Sequence, residues 1–88
     1  MKIKGKYVLR EIGGENIAVP VSDTVLTSNV IIILNETAKF LWTLLEAGCT
    51  DDELLKAMCE EYDTDEKTAS EDIREFIDYL KNSKVEFE

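Results

Sequence analysis

Few side chains in this 88-residue chain could do chemistry, and their spacing argues against most of it. Three acidic pairs, Asp51-Asp52, Glu60-Glu61 and Glu71-Asp72, have the composition of an acid–base couple. Neighbours in sequence diverge by about 100° on a helix, so each pair is expected on a solvated face and not as two carboxylates sharing a proton. Cys49 and Cys59 stand ten positions apart with no CxxC spacing, and the chain contains no histidine. Without histidine no base is at hand to activate a Ser or Cys, and no zinc site can be assembled. The thiols are expected to be free, with Cys59 and Met58 filling the core. Gly13-Gly14 lies between two strand-like runs, which makes it a hairpin turn and not a phosphate-cradling loop. The expectation is a protein without catalysis, metal or cofactor.

Binding chemistry remains, and it centres on Val30-Ile31-Ile32-Ile33-Leu34, a run of branched apolar residues with strand composition. A short sheet has two edges, each presenting unpaired backbone N–H and C=O groups. An apolar edge strand in a soluble protein must be covered by the fold or reserved for a partner strand. Addition of an extended peptide to such an edge is a common recognition mode, with main-chain hydrogen bonds for affinity and side-chain pockets for selectivity. The same exposure lets two copies pair edge to edge, or swap, when no peptide is present.

The elements that must position this run follow from pattern. Residues 6–12 and Ile17–Val21 predict a hairpin around the turn cluster Gly13-Gly14-Glu15-Asn16, with Pro20 on an edge or where pairing stops. Ser22–Asn29 predicts a loop anchored on the core by Val25 and Leu26. Directly after the third strand, Asn35 is an N-cap, and Ala38, Leu41, Trp42 and Leu45 make one apolar stripe on a helix over 36–47 that stops at Gly48. Thr50 and Glu53 form a capping box for a second helix, whose apolar face is Leu54, Leu55, Met58 and Tyr62. A third helix, capped near Asp65, runs over 66–82 with Ala69, Ile73, Phe76, Ile77 and Leu80 inward and Asp72, Tyr79 and Ser83 along one flank. The tail Val85-Glu86-Phe87-Glu88 alternates, and either packs back or frays. The predicted fold is a single α+β domain over 1–88, a three-stranded antiparallel sheet followed by three helices in a winged-helix-like order.

Charge narrows the partners. Residues 1–50 hold five acidic and five basic side chains, whereas residues 51–88 hold fourteen acidic and five basic, so the whole −9 sits in the helical half. A DNA-reading helix needs Lys and Arg against phosphate, and the third helix with its cap is dominated by acids. A winged-helix nucleic-acid binder is thereby disfavoured, and peptide or protein partners are expected. No run approaches the ~18 apolar residues of a membrane span, and no signal-peptide pattern opens the chain, which points to a cytoplasmic protein.

Leu34-Asn35-Glu36-Thr37-Ala38 followed by Phe40-Leu41-Trp42-Thr43-Leu44-Leu45 resembles the L-N-E-T-A-x-x-[IL]-W-x-L-L signature of the PqqD-like family. Thr50-Asp51-Asp52-Glu53-Leu54, Glu61-Tyr62-Asp63 and the stretch from Glu71 to Leu80 are similar to that family's second and third helices in order and spacing. The usual glycine after the third helix is replaced by Asn82-Ser83-Lys84. The resemblance implies a non-catalytic peptide chaperone that binds the leader of a ribosomally made precursor peptide and presents it to a modifying enzyme, often a radical-SAM protein. It also implies that the leader adds as a strand to Val30, Ile31, Ile32, Ile33 and Leu34, in a cleft walled by Asp72, Phe76 and Tyr79. It does not imply pyrroloquinoline quinone as the product. The competing reading is a structural adaptor that docks on an enzyme and binds no peptide.

Overall fold

Two glycines set the phase of the sheet. Gly13 and Gly14 have φ of +59° and +84°, the left-handed pair that a two-residue type I′ turn requires and side chains resist. The computed structural model, which describes residues 1–22, 25–26 and 31–88, places this turn between β1 (Lys6–Ile12) and β2 (Glu15–Ser22), with Ile12 opposite Glu15. A two-residue hairpin makes that closing pair a hydrogen-bonded one. Odd-numbered residues of β2 therefore turn their backbone groups to β1, and even-numbered ones to the opposite edge. On that edge two short strands lie in line: β3 (Val25–Leu26) against Val21 and Ser22, and β4 (Ile32–Leu34) against Asn16, Ile17 and Ala18. Pro20 falls between the two ladders, where its missing N–H costs no strand–strand bond.

The predicted order of sheet and then three helices is the order the chain adopts. Two details differ. The expected loop over Ser22–Asn29 contains β3, a strand of two residues, too short for alternation to reveal. Of the expected third strand, Val30–Leu34, the described residues pair over Ile32–Leu34. Ile31 precedes the strand, and Val30 lies outside the described residues.

The helices start where their caps demand. Asn35 accepts a hydrogen bond from the Ala38 N–H at 2.8 Å and opens α1 (Glu36–Ala47). At α2 (Asp51–Tyr62) the Glu53 N–H donates to Thr50 Oγ1 at 3.1 Å and the Thr50 N–H to Glu53 Oε1 at 2.8 Å, a complete capping box. Asp65 caps α3 (Glu66–Asn82) by accepting from the Thr68 N–H at 2.7 Å. At its other end α3 closes in the geometry that glycine normally serves. The Val85 N–H donates to the Leu80 carbonyl at 2.9 Å and the Lys84 N–H to that of Lys81 at 3.0 Å, with Lys84 at φ +68°. A lysine in that left-handed position costs about 1 kcal/mol, which the burial of Val85 offsets.

Two of these caps are titratable. Their hydrogen bonds from backbone N–H groups hold the Asp65 and Glu53 carboxyls below their ordinary values. A lowered folded pKa contributes stability that is complete above the unfolded value, near pH ~4, and is lost as pH falls through the folded value. Asp65→Asn keeps a capping oxygen but cannot titrate. In thermal melts it is expected to match the wild type near neutrality and to lose less of its midpoint between pH 5 and 3.

The core joins all the layers. Trp42, Leu41 and Leu45 of α1 meet Ala18, Ile32 and Leu34 of the sheet, Leu54 and Met58 of α2, and Ala69, Phe76 and Leu80 of α3. The tail packs back. Ile3 and Phe87 form an antiparallel bridge, the Lys4 N–H donates to the Glu86 carbonyl at 2.9 Å, and the Ile3 N–H to that of Leu45 at 3.0 Å. Cys49 and Cys59 are free and half-buried. Tyr62, expected on the inner face of α2, is exposed and meets Phe40 edge-on at 5.6 Å. Among the described residues no helix is long and apolar enough to cross a membrane.

Candidate functional site

The hairpin phase decides what β4 offers. Ala18 and Asn16 turn their backbone groups toward β4, so their partners Ile32 and Leu34 are the residues that bond β2. Ile33 then directs its N–H and C=O away from β2, to the outer edge of the sheet. The carbonyl is found there accepting a hydrogen bond from the Tyr79 hydroxyl of α3, at 3.1 Å. Among the described residues no other strand pairs with that edge.

Side chains divide the same strand by face. Ile32 and Leu34 are 1% and 2% exposed and belong to the core, whereas Ile31 and Ile33 are 58% and 55% exposed. Of the predicted binding run, Ile32 and Leu34 therefore hold the strand in place, and Ile31 and Ile33 carry its free surface. Five consecutive apolar residues do not reveal this split, because alternation is hidden when both phases are branched and apolar.

A groove of about 480 Å³ separates β4 and the start of α1 from α3. Its apolar lining comes from Ile33, Ala38, Leu41 and Phe76, and the α3 wall carries Asp72, Glu75 and Tyr79. Asp72, Phe76 and Tyr79 fall at i, i+4 and i+7, which places them on one face of α3. That face was legible from sequence. Glu75 was not singled out, although it lies three residues from Asp72 and four from Tyr79 and so shares the flank. Leu41, a core position by its helical spacing, also lines the groove. Ser83, expected on this flank, instead caps the helix end.

The electrostatics of the groove are one-sided. Its charged lining residues are both acidic, Asp72 and Glu75, and both are exposed. Arg74 and Lys81 of α3 instead line a separate cleft with Asp51 and Asp52 of α2. Among the described residues no three His, Cys, Asp or Glu side chains converge as metal ligands would. The arrangement offers an extended segment three things: backbone groups along β4, an apolar strip beneath, and carboxylates at the rim.

Comparison with known proteins gives two findings. Residues 25–85 match the family model described as coenzyme PQQ synthesis protein D, PqqD. The solved structure titled "TbiB1 in Complex with the TbiA(beta) Leader Peptide" superposes with a TM-score of 0.77 at 30% identity, over 98% of this chain and 95% of that one. No curated protein matches the chain.

Proposed function

The chain belongs to the PqqD family, and from that premise we propose that it captures the leader of a ribosomally made precursor peptide and presents it to a modifying enzyme of the radical-SAM kind. It does so without chemistry of its own. The leader adds as a strand to the open edge of β4 and lies in the groove against α3, with Ile31 and Ile33 on the strand side and Asp72, Phe76 and Tyr79 opposite. The observation that carries this is the outer β4 edge, with which no other strand pairs among the described residues, beside a groove lined by both apolar and acidic side chains. Its support is the similar protein solved in complex with a leader peptide.

The groove defines the leader. Its apolar lining takes apolar anchors from alternate positions of an added strand. Asp72 and Glu75 favour at least one Lys or Arg on the side that faces α3. Exposed ion pairs are worth ~0.2–1 kcal/mol, so raising ionic strength from about 50 to 500 mM weakens binding by roughly two- to fivefold. A salt-independent affinity would contradict the electrostatic part and leave strand addition standing.

Fluorescence anisotropy tests the function directly, using short precursor peptides encoded near the gene in native and scrambled order. Binding of a native leader with loss on scrambling supports capture. Equal binding of both, or of neither, contradicts it.

A further inference from the structure

The hydrogen bond from Tyr79 to Ile33 lies where an added strand would have to bond. We propose that the Tyr79 hydroxyl is a placeholder for a backbone N–H of the incoming strand, so that Tyr79 both guards the edge and sets which ligand residue can face Ile33. The inference rests on strand addition at β4 and goes beyond it by naming the group the ligand must displace.

The geometry is specific. At 3.1 Å the bond is a long one for an O–H donor, whose usual span is about 2.5–3.0 Å, so it is readily exchanged, and the donor is a phenol reaching across the groove from α3, 46 residues on in sequence. Ile33 is the middle residue of β4, and the hairpin phase leaves its carbonyl at the outer edge. An N–H of an added strand would approach that same oxygen from the same side. Tyr79 is 41% exposed, so once displaced its hydroxyl has water to bond and leaves no orphaned donor.

Two consequences follow for the ligand. The residue facing Ile33 must bring its own N–H, which excludes proline and N-alkylated residues there. The exchange also replaces one hydrogen bond by another, so the free protein sacrifices part of the affinity the edge would otherwise deliver. In return the apolar strand keeps one of its edge acceptors occupied when no ligand is present, which discourages pairing with other chains.

Tyr79→Phe tests this, because it keeps the ring that walls the groove and removes only the hydroxyl. The probe is a synthetic leader segment of a short precursor encoded near the gene, titrated into ¹³C,¹⁵N-labelled wild type and variant. Tyr79→Phe is expected to bind about two- to tenfold more tightly than wild type, whereas Tyr79→Ala, which removes the wall as well, binds more weakly. The Ile33 carbonyl-carbon shift should differ between wild type and Tyr79→Phe in the free proteins and converge when the peptide is bound. Unchanged or weaker affinity in Tyr79→Phe, or a carbonyl difference that persists in the complexes, overturns the placeholder while leaving strand addition intact. If neither protein binds any leader segment, strand addition falls and the placeholder falls with it.

Discussion

Replacing Trp42 by alanine is expected to unfold most of the domain at ambient temperature. Trp42 is fully buried at the centre of the core, and its ring meets Tyr7 of β1 edge-on at 5.0 Å and 86°. It thus ties the sheet to α1 and, through Leu54 and Phe76 of the same cluster, to the other helices. Truncating an aromatic of this kind costs ~3–5 kcal/mol, through lost transfer energy and the cavity left behind. A domain of this length sits near the lower end of the usual range of about 5–15 kcal/mol, so the loss is comparable to the whole. Urea denaturation followed by far-UV circular dichroism measures it, because the chain's single tryptophan is the residue removed. Among the described residues the buried indole Nε1 meets no hydrogen-bond partner, and Trp42→Phe, which keeps an aromatic ring in the core, is expected to cost much less than Trp42→Ala. A Trp42→Ala midpoint close to wild type would contradict this account of the core.

Ile33→Pro is expected to leave the fold in place and lower leader affinity by about ten- to a hundredfold. Ile33 turns its N–H to the open edge, so proline there removes no bond between β2 and β4 and occupies a position that edge strands tolerate. An added strand would lose the Ile33 N–H as a donor and meet a ring in its place. Ile32→Pro, one residue earlier, removes an N–H that pairs with Ala18 and buries a poorly fitting ring in the core, so it should destabilise the protein itself. Melting curves and peptide titrations of the two variants separate the roles. An Ile33→Pro protein that is folded and binds the leader as well as wild type would show that the β4 edge is not used.

The elements that carried local signals were legible from sequence. The three helices begin at the caps Asn35, Thr50 and Asp65 because an oxygen acceptor ahead of an apolar period is a local device that needs no tertiary contact. The shared face of Asp72, Phe76 and Tyr79 was legible for the same reason, since helical geometry alone aligns them. What they face was not. Leu41 and Phe76 line the groove between α3 and β4 and share the core with Leu80, and only the family resemblance pointed to that juxtaposition.

Other features lay beyond sequence because they are long-range or too short to be periodic. The division of Ile31 and Ile33 from Ile32 and Leu34 follows from hairpin register, which the glycine turn sets 17 to 21 residues away. The bond from Tyr79 to Ile33 joins positions 46 apart. Strand β3 has only two residues, and the bridge of Ile3 with Phe87 joins opposite ends of the chain. The departure at Asn82-Ser83-Lys84 had a local signature but no visible outcome, since lysine gives no hint that it will adopt the left-handed turn.

The most direct test of leader capture at the β4 edge is amide hydrogen exchange by NMR, with and without the leader segment. Before peptide is added, the Ile32 and Leu34 amides should be protected by β2 and the Ile33 amide should exchange quickly. With peptide bound, Ile33 should become protected, and shift changes should cluster on Ile31–Leu34 and Asp72–Tyr79. Binding that leaves Ile33 exchanging as before, or that moves only residues outside the groove, would contradict strand addition to this edge.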